Sequence, residues 1–89
     1  MENNDGRKVS GWLPELVFEN GANPVVQVIE DATGEVLYTV RTQAGRFHPR
    51  VYSSGMHTIK LGPDKPDAQT LAGLAPKPKA ESGQRIVNL

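Results

Sequence analysis

Through the middle of the chain, apolar and polar residues alternate with a period of two, the spacing of strands that bury one face. Val36, Tyr38 and Val40 alternate with Leu37, Thr39 and Arg41, and Phe47, Pro49 and Val51 alternate with Arg46, His48, Arg50 and Tyr52. Met56 to Leu61 alternates again, and Val25 to Ile29 is β-branched apart from Gln27. The short apolar run from Leu13 to Glu19 reads as a first strand, with Pro14 placing its start at an edge or a strand entry. Gln84 to Leu89 supplies a last strand. No segment carries an apolar stripe of helical period, and no repeat of solenoid length occurs.

Turn residues divide these runs. Asn20 to Pro24 is a cluster of them, and in Glu30-Asp31-Ala32-Thr33-Gly34 the glycine is free to take positive φ. Ser53-Ser54-Gly55 reads as a three-residue hairpin loop with Gly55 left-handed. Pairing Tyr52 with Met56 then sets Val51 against His57, Pro49 against Ile59 and Phe47 against Leu61 on an apolar side. Arg50 with Thr58 and His48 with Lys60 fall on the polar side. Residues 1–8 are polar and unpatterned, a flexible arm, and 9–89 form a single domain. Within it, 62–83 holds Pro63, Pro66, Pro76 and Pro78 around Leu71 and Leu74 and reads as a long irregular connection. The expected fold is all-β: a small antiparallel β-sandwich, prealbumin-like or Ig-like, of about six or seven strands. Its expected core is Val26, Val28, Val36, Tyr38, Val40, Phe47, Val51, His57, Ile59 and Leu61.

Composition narrows the function. A chain of 89 residues buries only about 60% of the surface its unfolded form exposes. With no cysteine and two histidines, it lacks disulfide staples, so stability comes from packing or from contact with something larger. Ten basic and ten acidic side chains cancel, which argues against nucleic acid as partner. No run approaches the roughly 20 apolar residues of a membrane span, so no membrane insertion is expected. Met1 is followed by polar residues, not by the charged and apolar regions of a leader, although a leader upstream of this stretch is compatible with it.

The order Asp31-Ala32-Thr33-Gly34-Glu35-Val36, Thr42-Gln43-Ala44-Gly45-Arg46-Phe47 and Gly55-Met56-His57-Thr58-Ile59-Lys60-Leu61 resembles the carboxypeptidase regulatory-like group of prealbumin-like sandwiches. His57 stands where those modules carry an inward tyrosine. Asn23-Pro24-Val25-Val26-Gln27-Val28-Ile29, with Gly34 to Arg41, is also similar to the carboxy-terminal β-domains of secreted bacterial alkaline-phosphatase-like metallophosphoesterases. The resemblance implies a non-catalytic accessory or interaction module of a larger secreted bacterial protein, periplasmic or extracellular. Its partner would be a neighbouring domain of the same polypeptide or another envelope protein.

Candidate chemistry is sparse. Arg46, His48 and Arg50, spaced by two, with Lys60 opposite His48, form a basic row suited to an anionic carbohydrate or envelope polymer. The plainer reading is a charged face that protects an exposed strand. Trp12, between Gly11 and Leu13-Pro14, either stacks on a sugar or neighbouring domain or caps one end of the sandwich. Trp12, Arg46, His48, Arg50, Tyr52 and Lys60 are therefore the expected contact residues. The hairpin register puts His48 and His57 on opposite faces, and no ligand cluster surrounds either, so no metal or other cofactor is expected. His57 is expected in the core with one hydrogen bond. Ser53 and Ser54 lack an oriented histidine and carboxylate, so no catalytic residue is expected. Glu30, Asp31 and Glu35 lack the ligand spacing of a calcium loop and read as a solvated turn.

Overall fold

The computed structural model describes residues 8–62 and 68–88. Nearly all of the expected arm therefore lies outside the described residues, Lys8 excepted. The ordered elements are strands β1 (Gly11–Trp12), β2 (Glu15–Phe18), β3 (Val25–Glu30), β4 (Glu35–Arg41), β5 (Arg46–Phe47), β6 (Arg50–Val51), β7 (His57–Leu61), β8 (Gln69–Leu74) and β9 (Gln84–Val87). Short 3-10 turns occupy Glu19–Gly21 and Lys79–Glu81. The fold is all-β, as the alternating pattern predicts.

One layer is a four-stranded antiparallel sheet ordered β4-β3-β7-β8, with the β-branched run of β3 inside it. Val26 stands opposite Val40 and Leu61, and Val28 opposite Tyr38 and Ile59. Directly opposed residues share a face, so this row makes the inner side. The other layer is β5-β2-β9, in which β5 runs antiparallel to β2 and β9 parallel to it. Leu16, Phe18 and Val87 close on Val26, Val28, Ile59, Leu61 and Leu74, and Leu13 and Val51 complete the buried cluster. Each such side chain contributes about 1.5–3 kcal/mol by leaving water.

Both edges of the larger sheet are irregular. The β3–β4 register shifts between Val28 and Ile29, and the β7–β8 register between His57 and Ile59. Bulged edges bend away from flat pairing, which protects an exposed sheet from adding strands of other chains.

Four expectations change. Ser53 to Gly55 does not close a hairpin: β7 lies between β3 and β8, and the chain at 53–55 instead crosses between sheets. Two partners cover both sides of β7, so Ile59 and Leu61 bury fully, which a lone hairpin would not achieve. Gly55 is not left-handed, whereas Gly34 is, at φ 73°. The expected strand across 46–52 splits at His48-Pro49, with β5 joining β2 and β6 joining β1.

Val36 is the third correction. The shift beside Val28 sets it opposite Ile29, on the outer face, and it is 45% exposed. Tyr38, Val40 and Phe47 are half-buried against the core. Leu13, Leu16, Phe18, Leu74 and Val87 are core residues that alternation did not single out. Fourth, the stretch expected to be irregular from 62 to 83 contains β8, which pairs along β7. Its residues 63–67 lie outside the described ones.

Candidate functional site

Gly11 sets the geometry of the first surface. A Cβ there would come within 2.6 Å of the Pro76 Cβ and 3.2 Å of the Lys77 backbone nitrogen, so only glycine lets segment 76–77 close against β1. Trp12 N–H donates to Lys77 O at 2.8 Å and Lys77 N–H to Trp12 O at 3.0 Å. On its other side Trp12 is opposite Arg50. Lys77, Trp12 and Arg50 thus form one row across a small ribbon, on one face.

Two more residues converge on the indole. The His48 ring lies 4.8 Å from it, tilted by 53°, and the Lys79 ammonium sits 4.6 Å above it. Ser82 joins them: its hydroxyl donates to Lys79 O at 2.8 Å and lies 2.8 Å from His48 Nε2. A hydroxyl has one proton, so Nε2 must donate to it. In the neutral form of the ring, that leaves Nδ1 as an acceptor. Trp12 and His48 are half-buried, while Arg50, Lys77 and Lys79 are exposed. Arg50 Nε donates to the Tyr52 hydroxyl at 3.4 Å, a bond that raises the guanidinium pKa.

The expected basic row is therefore not one surface. His48 and Arg50 reach the Trp12 cluster, with Tyr52 behind Arg50. Arg46 lies on β5 opposite Val17 and approaches Glu15 at 3.8 Å. Lys60 lies on β7 between Gln27 and Thr70, not opposite His48. Lys77, which meets Trp12 through its backbone, and Lys79, whose ammonium lies over the indole, carry no pattern in the sequence; Gly11 beside Trp12 was the available hint of close backbone approach.

A second surface is apolar. Val36 stands opposite Ile29 and Ile29 opposite Thr58, on the outer side of the larger sheet. Met56, whose carbonyl accepts from Asp31 N–H at 3.1 Å, adjoins this row and is 45% exposed.

The acidic turn is internally satisfied. Glu30 accepts from Thr33 at 3.0 Å and from Ser53 at 2.5 Å, and Asp31 from Thr58 at 2.7 Å. Among the described residues no group of three or more His, Cys, Asp or Glu stands close enough to hold a metal ion, and no helix is long and apolar enough to cross a membrane. His57 is fully buried, but among the described residues neither ring nitrogen has a hydrogen-bond partner, contrary to the single bond expected. No family, curated protein or solved structure matches the chain.

Proposed function

We propose that this chain is a non-catalytic accessory module that docks on a neighbouring domain of a larger secreted polypeptide. The observation that carries the reading is the outer face of the larger sheet, where Val36 and Met56 are each 45% exposed beside Ile29. A thin sandwich gains most from covering such a patch, because apolar area removed from water stabilises at about 25 cal/mol per Å². The bulged edges fit the same reading: the sheet resists pairing along its rims and offers its face. Resemblance to appended β-domains of secreted phosphoesterases supports a periplasmic or extracellular setting.

Hydrogen exchange tests it by comparing the chain alone with the full gene product that contains it. Docking predicts slower exchange around 27–30, 35–37 and 56–58 in the longer protein, and unchanged exchange at the Trp12 face. Equal exchange at the sheet face in both forms would remove the reading.

A further inference from the structure

We propose that the Trp12 face is a binding site for an anionic sugar, a pyranose bearing a carboxylate or a sulfate. The inference goes beyond the docking role and uses a different surface. Three features point to this ligand class. The indole offers a flat π-face of the kind on which the C–H side of a sugar ring packs. Arg50 and Lys77 flank it in register from either side, and Lys79 lies over it, so the groups around the ring can meet one anion with charge-assisted bonds. His48, held by its Nε2–Ser82 bond beside the indole, turns Nδ1 away from that bond as a further polar atom for a sugar hydroxyl, which can donate or accept.

The site is held from beneath. Trp12 is bonded through its backbone to Lys77, and His48 is fixed to the turn at Lys79–Glu81 through Ser82. Only the long cationic side chains have to move. Lys79 occupies the ring now, and an exposed ammonium–aromatic contact is weak. A sugar carboxylate would draw that ammonium aside and leave the ring face to the pyranose. Glu81, exposed in the same turn, is the acidic side chain of that segment, and Arg50, Lys77 and Lys79 outnumber it. An acidic peptide would satisfy the cations but not use the flat ring, which is why a sugar is favoured.

Trp12 is the single tryptophan of the chain, so its fluorescence reports the site directly. The intact chain is titrated with oligogalacturonate, with a sulfated oligosaccharide, with a neutral galactose oligomer and with polyglutamate. An anionic glycan is expected to shift the emission saturably and to move the amide resonances of 12, 48, 50, 77, 79 and 82 together. The double variant Lys77→Gln/Lys79→Gln should weaken that binding at least about tenfold, the loss expected for charge-assisted bonds. Arg46→Gln and Lys60→Gln, away from the cluster, should leave it unchanged. The two glycans distinguish carboxylate from sulfate.

Three results would overturn the proposal: no saturable change with either anionic glycan, equal affinity for the neutral oligomer, or equal affinity for polyglutamate. Exchange protection at the sheet face is a separate measurement, so either reading can fail while the other stands.

Discussion

His57 and Glu30 stand opposite each other on β7 and β3, on the inner face, yet the imidazole makes no hydrogen bond among the described residues. The Glu30 carboxylate is instead committed to the hydroxyls of Thr33 and Ser53. An uncompensated polar ring therefore sits in the interior opposite Leu74, where a buried unsatisfied group costs about 1–3 kcal/mol.

Replacing that ring with a hydrocarbon of similar size should help. His57→Leu is expected to raise stability by about 1 kcal/mol, seen as a higher urea midpoint at unchanged slope. A lower midpoint would mean that the imidazole has a partner in solution.

Tyr38 gives a pH dependence. Burial, reinforced by nearby Tyr52, pushes its phenol well above its ordinary value, and its hydroxyl donates to Arg50 O at 2.7 Å. Below about pH 10, the ordinary tyrosine value, folded and unfolded states both keep the proton and this stabilisation is complete. Above it the unfolded chain ionises while folded Tyr38 resists, so stability falls as pH rises. Tyr38→Phe should flatten this alkaline decline and lower neutral-pH stability by about 1 kcal/mol. Urea unfolding of both proteins across the alkaline range checks it; identical slopes would contradict it.

Whether the ribbon under Trp12 depends on close approach is tested at Gly11. An added methyl would meet the Pro76 Cβ at 2.6 Å, and relieving such a clash costs typically about 1–3 kcal/mol. Gly11→Ala should destabilise by that amount and alter Trp12 emission. Gly55→Ala, with nothing within 4 Å of its Cβ and no positive φ, should do neither.

Ser53 couples the crossing segment to β3 through Glu30. Ser53→Ala is expected to cost about 1.5–3 kcal/mol, the range for a bond to a charged group. A neutral result by calorimetry would show that Glu30 finds water instead.

The strands were legible wherever the side-chain period was strict. Ile59 and Leu61 take the inner face that alternation assigned, and Val26 and Val28 settle the parity of β3. Partners were not legible, because a period of two states which face is apolar and not which strand lies beside it. Ser53-Ser54-Gly55 serves a crossing as readily as a hairpin. Val36 was misassigned because one shifted residue reverses the face, and nothing in Glu35-Val36-Leu37 marks the shift. β8 was missed because Gln69-Thr70-Leu71-Ala72-Gly73-Leu74 has little β propensity; pairing with β7 imposes the strand.

The Trp12 cluster was half visible. Trp12, His48 and Arg50 stood out by residue type, but Lys77 and Lys79 lie in a proline-rich stretch without period. Their place depends on a backbone bridge between distant parts of the chain. Arg46 and Lys60 looked equivalent to the others only while 46–61 was taken as one hairpin.

The parallel pairing of β2 with β9 joins Glu15 to Gln84, side chains 69 positions apart. On the ribosome, the segment carrying Leu16 and Phe18 emerges long before the one that flanks it. A nascent chain must hold those two oily residues without their final neighbour until Gln84 to Val87 has been synthesised, so closure of this layer waits for its most distant strand.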